Sequence, residues 1–483
     1  MPKVLFHFIT RSWLFLGYIF LSLTPASPCN YATLMVDGAL RLNLENSINI
    51  AMTSERRLGG AIDALQMSEG GVELAKTAFD WLYYPKADAG YIGGGKAGEG
   101  GTVGAGVEFS KRFITGTRIS LYPSIMKAAK HFQTNLKAVF AQPLLRGAGP
   151  DFTLAGLKGA YFARRTAARN LYQAKLRLIL DTIEGLLEVV KQNALFAFDQ
   201  ETSEKLIKFA EATKLKRKIG LSDAFDVYRA EAERDYALET VITTRELLQN
   251  AKDALKDILA LPIELPIEVD IVVEYQPIDV DIEECVQAAL KYRIEIDQAK
   301  DALQESQRLE RLAEKNLLPE INFVVDYSSC SRDEVFTRAW TCKRESRWGI
   351  GLTTSGESMN PADEFSYEQS MMNTDEAARN VLQTKDDVAL AVRASVRNLT
   401  RYEAKIVNLE DQIEHAKKAF LYAQIRFNHG QANNFDLIQA ENNLRLAQRS
   451  LIAAVIDYKQ GIFQLLASMG LLLDKSLACA SSY

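Results

Sequence analysis

Apolar and polar positions along this chain follow two rhythms, and each rhythm recurs in both halves. Leu437, Ala440, Leu444, Ala447, Leu451, Ala454, Tyr458, Gly461 and Leu465 step alternately by three and four, a helical seam of heptad type. Val388, Val392, Ser395, Leu399, Tyr402, Ile406, Leu409, Ile413, Ala416, Phe420, Ala423 and Phe427 keep the same beat. They predict one helix over residues 364–429, roughly 100 Å long at 1.5 Å per residue. No single small core covers such a helix, so its seam must lie on neighbouring helices of an extended bundle.

The second rhythm has period two. Val103, Ala105, Val107 and Phe109 alternate with Gly104, Gly106, Glu108 and Ser110; Ile321, Phe323, Val325 and Tyr327 alternate with Asn322, Val324 and Asp326; Trp348, Ile350 and Leu352 complete the second pair. Such strands suit a membrane barrel, with lipid on one face and water on the other, and equally a half-buried soluble sheet. Four strands cannot close a barrel, and an open sheet would leave unpaired edges in lipid, so the barrel reading demands several chains. The stretch from Lys111 to Pro143 exceeds a simple return, and Phe113-Ile114-Thr115-Gly116-Thr117 offers the turn of an additional hairpin without fixing its place.

The two halves share one plan. Gly220-Leu221-Ser222-Asp223-Ala224-Phe225-Asp226 and Gly430-Gln431-Ala432-Asn433-Asn434-Phe435-Asp436 coincide at Gly, Phe and Asp, an offset of 430 − 220 = 210. Leu44-Glu45 and Ala51 correspond to Ile282-Glu283 and Ala289, and Pro85 to Pro319. Shifting the returning seam by that offset gives Val227, Ala230, Arg234, Ala237, Val241, Thr244, Leu248, Ala251 and Leu255, broken at Arg234 alone. Each half therefore reads as an entering helix, a β hairpin, a very long helix, a Gly turn and a returning helix. The boundaries are 40–262 for the first repeat, 263–279 for an extended Pro-containing linker, 280–470 for the second repeat and 471–483 for a tail.

Composition narrows the classes. An apolar content of 47% and a charged content of 25% describe a folded chain. A formal charge of −5 without a basic cluster gives no footprint for nucleic acid. Lys3 and Arg11, the apolar run from Trp13 to Leu21 and the small residues after Thr24 read as a secretory signal over residues 1–26. Cys29 follows the expected cleavage point and is a candidate for lipidation, although Pro28 favours ordinary cleavage. No later stretch reaches the roughly 18 apolar residues of a spanning helix, which leaves a barrel as the only way into a membrane.

In this setting Ala141-Gln142-Pro143-Leu144-Leu145-Arg146-Gly147-Ala148-Gly149, Ile219-Gly220-Leu221-Ser222 and Leu317-Leu318-Pro319 stand in the order found in the TolC-type outer membrane efflux protein family, which the whole mature chain resembles. The resemblance implies a mainly α fold with a β-barrel part: a homotrimer in which two hairpins per protomer make a twelve-stranded outer-membrane barrel, continued by an α-helical tunnel in the periplasm. It implies a passive exit duct for efflux or type I secretion that docks to a periplasmic adaptor and an inner-membrane transporter, with no cofactor and no enzymatic activity. By alignment, Gly220, Leu221, Ser222 and Gly430 fall at the adaptor-docking tip, and Asp226 and Asp436 on the periplasmic gate. Three copies of Asp436 around a narrow mouth would concentrate cations and raise one another's pKa values. The other reading of Asp223, Asp226 and Asp436 is that first-turn acids satisfy free N–H groups and the helix dipole. Gln439 replaces a second gate acid found in many members, and Ala432 an Arg found in some.

Other chemistry recedes. Cys330 and Cys342 lie in the loop region of the second strand pair, where a disulfide is allowed in an oxidising compartment and free thiols are the alternative; Cys285 reads as a core residue. Gly93-Gly94-Gly95-Lys96-Ala97 lacks the Ser or Thr of a phosphate loop and stands between strands. His131, His415 and His429 have no metal-ligand spacing. The competing class is a secreted coiled-coil scaffold or adhesin, which explains the heptads but not hairpins at matching places in both halves.

Overall fold

The computed structural model describes residues 35–36, 39–92, 100–128, 131–220, 222–341, 345–354, 360–429, 431 and 434–473. The signal segment 1–26, Cys29, Leu221, Cys342, Gly430, Ala432 and most of the tail lie outside the described residues. The described chain forms two units: residues 35–62, 170–294 and 386–473 in one, and 63–169 and 295–385 in the other. Both sequence repeats contribute to both units.

In the first unit, β1 (Met35–Val36) pairs with β2 (Ala39–Leu42), and β2 runs parallel to β7 (Ile267–Val269), with Leu40 opposite Ile267. Leu40 and Leu42 are both 0% exposed, while Arg41 between them turns outward to Glu268 at 3.8 Å. That alternation is what period two requires of a half-buried strand. Residues 267–269 of the segment expected as a linker belong to this sheet.

Helix α1 (Leu44–Met52) starts at Asn43, whose side chain accepts the Asn46 N–H at 2.7 Å. Helix α2 spans Glu55–Thr77. A short α3 (Pro150–Thr153) leads into the 64-residue α4 (Ala155–Lys218), which is followed by α5 (Ala224–Ile258). In the second half α6 (Ile282–Tyr292), capped by Asp281, and α7 (Ile294–Asn316) precede α8 (Phe336–Thr341), the 68-residue α9 (Pro361–Asn428) and α10 (Asn434–Ser468). The returning helices α5 and α10 have 35 residues each. Ala51 and Ala289, matched in the sequence, are both fully buried.

The seams lie where the heptads put them. Val227, Ala230, Ala237, Thr244, Leu248 and Leu255 are buried on α5, and Leu437, Ala447, Ala454, Tyr458, Gly461 and Leu465 on α10. Arg234, the break in the stripe, turns to Asp235 at 2.7 Å. Within the first unit the seams of α9 and α10 meet at Gly461, where an added Cβ would stand 3.4 Å from Leu399 and 3.7 Å from Tyr402. Val396 is buried in place of Ser395, which is half-buried and bonds back to the Ala391 carbonyl at 3.0 Å. Ile183, Leu186, Leu187 and Leu255 are almost wholly buried, each stabilising by about 1.5–3 kcal/mol relative to exposure.

The second unit carries a sheet in the order β3 (Leu82–Ile92), β4 (Gly100–Arg112), β5 (Arg118–Ala128), β6 (His131–Pro143), β8 (Ile321–Asp333), β9 (Glu345–Thr354), with every neighbouring pair antiparallel. This departs from the expectation of two hairpins per chain. The described sheet has six strands, because Phe113 to Thr117 closes a tight turn with its Phe113 N–H on the Thr117 carbonyl at 2.8 Å. The extra hairpin also breaks the equivalence of the two prolines: Pro85 lies inside β3, whereas Pro319 precedes β8.

Register sorts the sheet into two faces. Tyr83, Phe109, Leu121, Ala138, Tyr327 and Trp348 form one cross-strand row over all six strands, and Ile119, Phe140, Val325 and Ile350 form another on that same face. On the opposite face Tyr84 lies across from Glu108, and Tyr122, Lys137, Ser328 and Arg347 make a polar row. Each strand has 10–13 residues, the length that crosses a bilayer when tilted, about 9–11 residues.

Candidate functional site: the helical turns

The turn between α4 and α5 is set by Gly220, whose φ of +77° favours a residue without Cβ. Asp223 caps α5, accepting the Ala224 N–H at 2.6 Å. Ser222 donates its hydroxyl to Asp226 at 3.4 Å, a long contact that keeps the half-buried carboxylate beside its own helix start. Gly220, Ser222 and Asp226 therefore share one turn. Asn434, 1% exposed at the start of α10, donates its amide to the Asp226 backbone carbonyl at 3.1 Å and ties the two helix starts together. Asp436, two residues on, is exposed in the first turn of α10. Gln439, standing where a second acid was expected, turns along its own helix to Asn443 at 3.2 Å.

Sequence reasoning missed Arg229. Its guanidinium stands 4.6 Å from the ring centre of Phe225 and 4.8 Å from that of Phe435, the two aromatic residues matched by the internal repeat. Phe225 and Arg229 are four residues apart on a helix and so share a face, a signal that could have marked the pair. The corresponding position in the other half is Gln439, which has no charge to offer a ring. Close by, Lys216 stands 4.5 Å from the Phe427 ring centre. Each such contact is worth roughly 0.5–1 kcal/mol at an exposed site.

Further along these helices, polar contacts bind neighbours at intervals: Lys214 to Glu231 at 2.6 Å, Asn442 to Glu233 at 2.7 Å, Arg449 to Asp199 at 2.5 Å and Lys191 to Asp457 at 3.4 Å. Burial pushes the Glu441 carboxyl up, Arg445 opposing the rise and Glu233 adding to it. At the turns themselves Ile219 is 71% exposed, Tyr228 63% and Phe225 62%. An exposed group of large apolar side chains beside charged ones suits contact with another protein surface.

Among the described residues no cluster of His, Cys, Asp or Glu could hold a metal, and no helix is long and apolar enough to cross a membrane. Cys330 is half-buried in β8 opposite Glu345 of β9, while Cys342 lies outside the described residues. Cys285 is buried, and burial pushes its thiol up.

No family model matches the chain. Its sequence is 22% identical over 388 residues to the outer membrane protein TolC of Vibrio cholerae, covering 75% of this chain and 85% of that one. The fold is similar to that of the outer membrane protein VceC from Vibrio cholerae, with a TM-score of 0.69 at 15% identity over 88% of this chain and 96% of the other. The Campylobacter jejuni CmeC outer membrane channel gives a TM-score of 0.69 at 12% identity, covering 94% and 95%. The fold is similar to that of these outer-membrane channels. The sequence likeness to TolC runs along three quarters of the chain, in keeping with the resemblance carried by the motifs.

Proposed function

We propose that this protein is a passive outer-membrane exit duct for efflux or secretion, assembled as a homotrimer and engaged at its helical turns by a periplasmic adaptor that joins it to an inner-membrane transporter. The protein resides in the outer membrane, its sheet forming the membrane wall and its turns the periplasmic tip; it is not an enzyme. The observation that carries this reading is the two-faced sheet: an apolar row of six residues, from Tyr83 to Trp348, backs a polar one on the same strands. Lipid outside and water inside require that division. A secreted coiled-coil scaffold has no use for it.

Several features support the finer roles. The exposed Phe225, Tyr228 and Ile219 offer an adaptor a contact patch, and the exposed Asp436, repeated by threefold symmetry, would place three carboxylates around one mouth as a gate. Asp226, held by Ser222, is the weaker gate candidate. The same reading includes a Cys330–Cys342 bridge and ordinary removal of a signal over 1–26, lipidation of Cys29 being the alternative that requires cleavage directly before it. Fractionation with native mass measurement tests the whole. The mature protein should stay with outer membranes until detergent is added and then run as three copies; release without detergent as a monomer would overturn the duct and favour the scaffold.

A further inference from the structure

The edges of the sheet carry information that the faces do not. The strands β3 and β9 end the sheet, and each has one row of backbone N–H and C=O groups without a strand partner among the described residues. Such edges cannot lie open in hydrocarbon, where unsatisfied backbone groups cost several kcal/mol each. Six strands are also fewer than the roughly eight of the smallest membrane barrels.

The hairpin β3–β4 at the edge of the sheet carries the features of membrane wall. Its strands of 11 and 13 residues match the others in length. Its Tyr83 and Phe109 continue the apolar row without a change of register, their rings meeting edge to face at 6.1 Å. On the polar face Lys86 reaches Glu108 at 2.6 Å, and its ammonium stands 5.3 Å from the ring centre of Tyr122 on β5, so the hairpin is joined to the next strand on that side as well. Pro85 in β3 is no objection, since the sheet also holds Pro123 in β5, where the ladder to β4 skips Tyr122 and Pro123 and resumes in the same register.

Strand direction then fixes how copies can join. Alternation along an all-antiparallel order of six makes β3 and β9 run oppositely, so β9 of one copy can extend the ladder antiparallel against β3 of the next. Head-to-tail joining of this kind closes into a ring when the rotation permits. We infer that the edge β9 docks on the edge β3 of a second copy of this chain, so that three copies close a barrel of three times six, 18 strands. The inference rests on the trimeric duct proposed above. The barrel is then about 1.5 times as wide as a twelve-stranded one and its lumen about twice the area, since diameter grows roughly linearly with strand number. The added hairpin widens the outer-membrane mouth without adding a subunit.

Electron cryomicroscopy of the mature full chain in lipid nanodiscs, with native mass on the same sample, decides the matter. Three copies and 18 wall strands, with β9 beside β3 of the neighbour, is the expected result. Three copies with a twelve-stranded wall and the β3–β4 hairpin outside it would overturn the inference and leave the trimeric duct standing. A copy number other than three would instead overturn the trimer beneath it. Crosslinking checks the contact independently: Ala87→Cys paired with a cysteine scan of 346–352, in a chain freed of its native cysteines, should give covalent trimers at one or more positions. No intersubunit crosslink at any position would count against the β9–β3 contact.

Discussion

Arg449 on α10 holds Asp199 on α4 at 2.5 Å, and the carboxylate side chain it holds is 4% exposed. Removing the guanidinium leaves a charge out of water without its partner, the costly half of a buried ion pair. Arg449 is itself 31% exposed, which places the expected loss for Arg449→Ala below the full buried-pair value, at about 2–3 kcal/mol. Denaturant unfolding in detergent, followed by circular dichroism, measures it. A variant as stable as the parent would show that the contact contributes nothing.

Arg229 between Phe225 and Phe435 should fasten the two helix starts to one another. Arg229→Ala should destabilise the turns by about 1–2 kcal/mol, and Arg229→Lys by less, because the ammonium keeps the charge but not the flat guanidinium face. Hydrogen exchange of the backbone at 222–228 and 434–438 reports this directly. Faster exchange in both segments is expected, and exchange unchanged in both would mean that the rings and the cation are idle neighbours.

Two carboxylates give opposite pH signatures. Glu441 has a raised pKa, so its charge opposes folding above that value, and the penalty disappears below the unfolded value near 4.5. Glu441→Gln should raise the melting temperature near neutrality, with the gain vanishing in acid. Burial pushes Asp301 up, but hydrogen bonds from Arg165 and Arg169 outweigh it and hold the group below its ordinary range. Its contribution is present above the unfolded value of about 3.8 and is lost as pH falls through the folded one. Asp301→Asn should therefore lower the melting temperature at neutrality and converge with the parent only in strong acid. Reversed signs would contradict the two placements.

The helices were legible because their instructions are local and repeated. A heptad seam specifies which face is buried wherever its partner comes from, so Leu437 to Leu465 and Val227 to Leu255 could be read without knowing the bundle. Strands β4, β8 and β9 were legible in the same way. Before Gly93 a strand was expected but not its residues or faces, because Leu82-Tyr83-Tyr84-Pro85-Lys86-Ala87-Asp88-Ala89-Gly90 mixes Pro, Gly and charge, and its apolar side shows only once it is paired with β4. The acids proposed for the gate came from alignment with the family, whereas Arg229 meets a ring 206 positions away, 435 − 229, which no local pattern reveals.

Asp436 provides a functional test at the turns. As an exposed first-turn acid it should contribute little to stability beyond the helix dipole, about 0.3–1 kcal/mol. If three copies ring the mouth, Asp436→Ala should move the cation-to-anion permeability ratio toward unity and raise open probability, while Asp223→Ala should reduce helix stability and leave selectivity alone. Unchanged selectivity in the Asp436 variant would return that residue to a purely structural role.

The central claim is that this chain makes a water-filled path through a membrane, and single-channel recording in planar lipid bilayers tests it most directly. Purified, detergent-extracted mature protein should insert and give discrete, long-lived conductance steps that scale with salt concentration. Protein that is demonstrably present in the bilayer, yet gives no steps under any voltage or pH at which it stays folded, would contradict the duct.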